Sequence, residues 1–324
     1  MRGHVVLGST DGWLVTADAQ ATLRMANPVP FFSSCGSHIL DRNLFAAVRF
    51  GGLPNGERRP PLTLAKWQMR NWFYRKAVLS TSPRPGRYAA MLILAREFGA
   101  PAFATAGDPA WRLAPSRDGV EDAIHHEGRF YSVTYAGVVE EWDGDAETGE
   151  FTSTPVAPGL PGGEDVRRRK YIAAAPDGRL MAVLKLSMEV EQQHHCKITR
   201  VSFGVQVLDQ ASGRSEVVAS DIGDDAVFVG VNGTVCVSTR EHPGIAAGCI
   251  YFTDDEVGDA CLMRKEQSAS CNQRSSSIYG EPDDTELRET GVYSLKAGKV
   301  VNRIPEQGKH RRWSPQAWFS PSFL

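Results

Sequence analysis

Short apolar runs alternate along the whole chain with polar turns centred on glycine. Val5 to Leu7 lead into Gly8-Ser9-Thr10-Asp11-Gly12, and Trp13 to Val15 return. Ala123-Ile124 lead into His125-His126-Glu127-Gly128, and Phe130 to Val133 return. Tyr171 to Ala174 lead into Pro176-Asp177-Gly178, and Leu180 to Leu186 return. Ala226 to Val229 lead into Val231-Asn232-Gly233, and Val235 to Val237 return. Asp-Gly and Asn-Gly between apolar runs predict type I′ hairpin turns, which need φ > 0 at both central residues. Glycine takes that conformation without a Cβ clash. The pattern therefore predicts antiparallel hairpins. Further strand pairs flank Ala211-Ser212-Gly213 and Ala297-Gly298.

The glycine-turn-strand unit recurs at Gly12, Gly86, Gly128, Gly178, Gly233 and Gly291. A repeat of roughly 40–50 residues built from strands and tight turns is the signature of a β-propeller. The predicted fold is all-β: one propeller domain over residues 1–324, with about six blades of antiparallel hairpins and an incomplete or compensated closing blade. The long interval between Gly12 and Gly86 leaves room for a further unit. Helical periodicity is scarce, and the one candidate, Leu62 to Tyr74, reads equally as a long connection. Two stretches read as mobile loops: 155–170, rich in Pro and Gly, and 257–290, rich in Ser, Asp and Glu. The polar run Glu189 to Lys197 interrupts an otherwise strand-like region.

Composition narrows the function classes. Apolar residues are 42 % and charged residues 23 % of the 324, which suits a soluble globular core. A net charge of −2 is unlike the strongly basic balance of a nucleic-acid binder, so no nucleic-acid partner is expected. The six cysteines form no C-x-x-C pair or regular framework, and Cys236 reads as a small core residue. No apolar run is long enough for a signal peptide or a membrane span, so no membrane partner is expected. A cytoplasmic or nuclear protein with free thiols is the expectation. Asn232-Gly233-Thr234 matches a glycosylation acceptor but reads better as a turn before a strand.

Candidate chemistry is sparse. No P-loop, G-x-G-x-x-G, G-x-S-x-G or H-E-x-x-H is present. His194-His195-Cys196 offers only one side of a zinc site, so a polar loop is the favoured reading and no metal or cofactor is expected. His125-His126 reads as a surface turn. Arg167 to Lys170 and Lys309 to Arg312 are basic clusters that match phosphate-binding or nuclear-import runs, but short runs of this kind read foremost as solvated loops. Asp254-Asp255 and Asp283-Asp284 lack the spaced oxygen ligands of a calcium loop. Among the seven tryptophans, Trp13 and Trp142 fall in strand patterns and read as core. Trp67, Trp72 and Trp111 lie in or beside long connections, where large aromatics serve either as partner-binding anchors or as caps over a core.

Several stretches together resemble a known family. Gly8 to Asp18 (GSTDGWLVTAD), Leu23 to Pro28 (LRMANP), Lys76 to Ser80 (KAVLS) and Phe103 to Trp111 (FATAGDPAW) are similar, in order, to the plant KIB-type β-propeller, a domain of unknown function found in F-box proteins. So are Asp225 to Gly230 (DAVFVG), Cys249 to Asp255 (CIYFTDD) and Trp318 to Ser322 (WFSPS). The resemblance implies a non-catalytic substrate receptor of a ubiquitin ligase, in which an F-box docks on a Skp-type adaptor and the propeller holds an unidentified protein substrate. Before Gly8 there is no leucine-rich helical pattern, so the expectation is the propeller without its F-box and without the adaptor contact. The alternative reading is an enzyme with its active site at the mouth of the propeller channel. An ionisable cluster with a nucleophile and a base in reach would mark it.

Overall fold

The computed structural model of the chain describes residues 4–26, 38–39, 66, 69–80, 83–84, 86–96, 100–145, 148–157, 159–165, 167–192, 196–209, 214–218, 222–253, 290–303 and 317–319. Strands β1 (Val5–Thr10), β2 (Trp13–Ala17), β3 (Leu23–Ala26) and β4 (His38–Ile39) pair in that order as the first sheet. The second holds β5 (Tyr74–Leu79), β6 (Ala89–Leu94), β7 (Ala102–Thr105) and β8 (Arg112–Leu113). The third holds β9 (Val120–His126), β10 (Arg129–Thr134), β11 (Val139–Gly144) and β12 (Phe151–Ala157). The fourth holds β13 (Arg168–Ala174), β14 (Leu180–Gln192), β15 (Cys196–Asp209) and β16 (Arg214–Val218). The fifth contains β17 (Asp225–Gly230), β18 (Gly233–Ser238), β19 (Cys249–Phe252), β20 (Gly291–Ser294) and β21 (Lys299–Arg303), ordered β18-β17-β19-β20-β21. The inner strands β1, β5, β9, β13 and β18 neighbour one another in a ring. The fold is an all-β propeller.

Five blades, not about six, stand among the described residues. The miscount has a physical cause. The units at Gly233 and Gly291 belong to one sheet, because β19 joins β17 in parallel, with Ala226 opposite Cys249 and Val229 opposite Phe252. That parallel step folds two apparent repeats into a single blade and makes β18, rather than β17, the inner strand. The first sheet is made wholly from 5–39 and the fifth wholly from 225–303. Among the described residues neither borrows a strand from the other end of the chain.

The apolar core lies between blades. In β6, Ala90, Leu92 and Leu94 pack toward the first blade, while Met91 and Ile93 pack toward the third. In β14, Leu180, Ala182 and Leu184 face the third blade and Met181 and Val183 the fifth. A strand covered on both faces reads as a continuous apolar run rather than an alternating one. This is why MLIL and LMAVL are unbroken in the sequence.

The hairpins form, but not all on type I′ turns: at Asn232-Gly233 neither residue takes a positive φ. Asp11 and Gly12 (φ 46° and 81°) and Glu127 and Gly128 (φ 47° and 84°) adopt the doubly positive geometry of type I′. At Pro176-Asp177-Gly178 only Gly178 is positive, at 88°. Proline holds φ near −65°, so this turn is type I followed by a left-handed glycine. Its Gly178 N–H donates to Ala175 O at 2.9 Å.

Two expectations are corrected, and one left open is decided. Residues 155–170 are not one loop: they end β12, begin β13, and bury Leu160 between blades, with its N–H donating to Gly137 O at 3.0 Å. Their glycines permit close backbone packing, since a Cβ on Gly137 would lie 2.8 Å from Gly163 Cα. Glu189 to Lys197 does not interrupt a strand; β14 and β15 pair continuously through it to Gln192 opposite Cys196. From Leu62 to Tyr74, where a short helix and a connection were both open, the described residues are helical: Lys66, and a π-helical turn Met69–Phe73 running into β5. The stretch 257–290 lies outside the described residues except for Thr290.

Candidate functional site

Three successive inner strands place charged residues immediately before an apolar run: Lys76 in YRKAVL, Glu121 and Asp122 in VEDAI, Arg169 and Lys170 in RRKYI. Lys76, Glu121, Asp122 and Lys170 are all buried. Buried charge is tolerated only when paired and hydrogen-bonded. Asp122 meets that demand from three directions. Its Oδ1 takes the Lys76 ammonium of the second blade. Its Oδ2 accepts from Ile172 N of the fourth blade at 3.0 Å and from Thr234 Oγ1 of the fifth at 2.9 Å. One carboxylate thus ties four blades together. Beside it, Lys170 Nζ donates to Glu121 Oε2 at 3.2 Å and to Arg168 O at 2.9 Å. Arg169 Nη1 stands 3.6 Å from Glu121 Oε1. Burial pushes the Glu121 carboxyl up, against the pull of Arg169 and Lys170 toward the ionised form.

This is an ionisable cluster with a hydroxyl on a carboxylate, the arrangement that would mark a catalytic funnel. Its geometry is that of a latch. Both Asp122 oxygens are occupied, Thr234 is 8 % exposed, and Lys76 Nζ is spent on Asp122.

At the other end of the inner strands the turns form a polar rim. Asp11-Gly12, His125 to Gly128, Asp177 to Arg179, and Asp224 with Arg240 follow one another around the axis. Asp11 acts electrostatically on His125, Gly178 abuts Glu127, and Asp177 and Arg179 act on Asp225. The rim charges are paired locally: Arg179 Nε to Asp177 Oδ2 at 2.6 Å, and Arg240 Nε to Asp224 Oδ2 at 2.6 Å. Both pairs are solvent-exposed, so they are weak and exchangeable. Burial, chiefly, pulls His125 below its ordinary value. Burial and then Asp177 push Asp225 up, and burial with Asp225 and Asp177 pushes the Cys236 thiol up to about 12. Cys236 is thus an inert, half-buried thiol, not a nucleophile.

Of the three connection tryptophans, Trp111 is 3 % exposed and packed in the core between the first two blades, so it caps that core. Trp67 lies outside the described residues, and Trp72 has only its backbone described, in the π-helical turn. Trp13 and Trp142 are core residues as expected. The basic run Arg167 to Lys170 is not a solvated loop: Arg167 and Arg168 stay toward the surface beside Asp165, while Arg169 and Lys170 enter the axial cluster. His125 and His126 end β9 just before the turn, half-buried. His194-His195, Asp254-Asp255, Asp283-Asp284 and Lys309 to Arg312 lie outside the described residues. Among the described residues no group of three or more His, Cys, Asp or Glu is placed to hold a metal. None of their helices is long and apolar enough to cross a membrane. Sequence reading missed Lys76, Asp122 and Thr234. Their signal was the polar step before each inner strand's apolar run, which has meaning only once the strands are known to share an axis.

Solved structures with similarity include the β-propeller domain of Cps50 (Swd1) from Myceliophteria thermophila, at 10 % identity over 95 % of this chain and 89 % of that one, with a TM-score of 0.37. Another is AofleA from Arthrobotrys oligospora, at 11 % identity over 78 % of this chain and 75 % of that one, with a TM-score of 0.29. No curated protein matches the chain. The KIB1-4 beta-propeller family model matches residues 1–294, nearly the whole of the blade-forming sequence, and the chain belongs to that family.

Proposed function

We propose that the chain is a non-catalytic protein-interaction module whose polar rim reads a protein partner, acting as the substrate-receptor propeller of a plant ubiquitin ligase. The observation that carries this reading is the division of labour along the axis. The buried charges are consumed in holding blades together, whereas the rim charges are exposed and only locally paired. Loop ends on a rigid scaffold are where binding specificity resides. Exposed pairs such as Asp177–Arg179 surrender their partners to an incoming charge at little cost. In this reading residues 1–324 hold the substrate and make no direct contact with a Skp-type adaptor, and the protein works in the cytoplasm or nucleus.

The test has two arms. Partners captured from plant extract by the wild-type chain are identified, and their purified forms titrated against wild type and an Asp177→Arg/Asp224→Arg variant. At least a tenfold loss of affinity with an unchanged melting temperature is expected; equal affinity removes the rim from the reading. Titration of the chain with a purified Skp-type adaptor is expected to give no saturable binding. Robust binding would overturn the separation of substrate holding from adaptor contact.

A further inference from the structure

On the fifth blade, Val227, Val229, Ile250 and Phe252 face the fourth blade. Phe228 and Tyr251, opposite each other in register, occupy the other face and stack at 4.6 Å and 15°. The segment 317–319 lies across that face. Trp318 N donates to Asn232 Oδ1 at 3.0 Å, and Asn232 Nδ2 donates back to Trp318 O at 2.7 Å. The indole N–H donates to Val229 O at 2.9 Å, and the ring stands edge-on to Phe228 at 4.9 Å. Gly230 leaves the space: a Cβ there would lie 3.0 Å from the indole Cδ1 and 2.6 Å from Thr253 Oγ1.

These contacts have the form of peptide recognition. The Asn232 amide reads one residue's backbone in both directions, which any extended segment satisfies. The Gly230 gap, the Val229 carbonyl and the Phe228 face then read a tryptophan. A second observation is independent of the first: Thr253 Oγ1 is buried beside the indole with no hydrogen-bond partner among the described residues. Buried hydroxyls are rarely left so. The chain's own segment fills the cradle without completing it.

We infer that Phe228, Val229, Gly230, Asn232 and Thr253 form a binding site for a tryptophan-bearing extended segment of a partner protein, held closed in this chain by Trp318. The assignment deepens the protein-interaction reading by naming a ligand chemistry. Its test uses no substrate of the rim, so failure here leaves that reading standing.

Trp318 competes at the high effective concentration of a tethered ligand, on the order of millimolar for a flexible connection. The cradle must therefore be opened to be measured. The probe is a labelled peptide of residues 314–321, SPQAWFSP. By fluorescence anisotropy it is expected to bind the Trp318→Ala chain saturably and wild type at least tenfold more weakly. Binding is expected to be lost in Trp318→Ala/Asn232→Ala and with a peptide whose tryptophan is alanine. No binding to a folded Trp318→Ala chain, or binding indifferent to Asn232, overturns the assignment. If Trp318→Ala does not fold, the wild-type chain labelled with ¹⁵N-tryptophan decides. Excess peptide should move the Trp318 indole N–H resonance to its solvent-exposed position, and an unmoved resonance overturns the proposal. A wild-type dimer that the peptide dissolves would assign the cradle to a second copy of the chain, and would overturn its assignment to a partner.

Discussion

Asp122 gathers onto two oxygens the donors of three other blades, and its removal strands all of them at once. Lys76 would keep a buried ammonium without a counter-charge, and Ile172 N–H and the Thr234 hydroxyl would lose their acceptor. Breaking one side of a buried pair costs about 3–5 kcal/mol, whereas replacing both partners with apolar residues is often near neutral. Asp122→Ala is therefore expected to lower urea-unfolding stability by about 3–5 kcal/mol, and Lys76→Met/Asp122→Leu to recover the part due to the stranded ammonium, with Ile172 N–H and the Thr234 hydroxyl still lacking their acceptor. A single-variant cost below about 1 kcal/mol, the range of surface pairs, would refute the latch. Glu140 offers a pH test. Burial pushes its carboxyl above the ordinary 4.5, despite hydrogen bonds from Ser153 and Ser132, with Asp118 adding to the rise. The folded chain then holds this proton to higher pH than the unfolded chain does. The stability it contributes is fully present below 4.5 and is lost as pH rises through the raised value. Glu140→Gln removes the titration. The stability of wild type minus that of the variant should fall as pH rises from about 4.5 to 7 in urea melts, and a flat difference would sink the account.

The seam between β1 and β5 is close because Gly8 has no side chain. A Cβ there would lie 1.9 Å from Ala77 O and 2.9 Å from Ala77 C, both backbone atoms that cannot rotate away. Gly8→Ala must push the first blade off the second, at a cost of about 1–3 kcal/mol or more. Gly204, inside β15, has nothing within 4 Å of the same position and no positive φ. Gly204→Ala is expected to be neutral or stabilising by about 0.4–1 kcal/mol, through the unfolded chain's lost freedom. Equal effects in thermal melts would remove the close approach from the argument. The contrast also shows what was legible in the sequence. Gly12, Gly128 and Gly178 could be read because a turn's demand for positive φ is local. The role of Gly8 could not, because its constraint comes from Ala77, on another blade. Lys170 was misread for the same reason: within RRRK it looks solvated, and only Glu121 on the neighbouring blade makes it an interior residue. The parallel step from β17 to β19 hid the blade count, since nothing local separates it from the start of a new blade.

The four apolar clusters among the described residues map onto four seams: first to second blade, second to third, third to fourth, and fourth to fifth. Among the described residues no such cluster joins the fifth blade to the first. There the ring closes through β18 beside β1, with Leu14 and Thr16 of β2 on the facing side of the first blade and His4 Nδ1 on Thr16 Oγ1 at 3.2 Å. Closure of a propeller by a shared strand would tie this seam to both chain ends, but among the described residues these blades share none. Among the described residues its opening breaks none of these clusters, and a motion's free energy follows the buried contacts it breaks. The ring should therefore breathe at this seam before any other. Thr16 is 2 % exposed and lies between Val15 and Ala17, which face the second blade, so its own side chain faces the closure. Ala182 is equally buried, but within the third-to-fourth seam. A cysteine placed at each position reports opening through its rate of modification by a maleimide, followed at that peptide by mass spectrometry. Thr16→Cys should react faster than Ala182→Cys by at least tenfold under native conditions, and Asp122→Asn should widen the gap by loosening the fifth blade's hold through Thr234. Equal rates at the two positions would mean that the ring has no weakest seam, and that this closure is as tight as apolar packing.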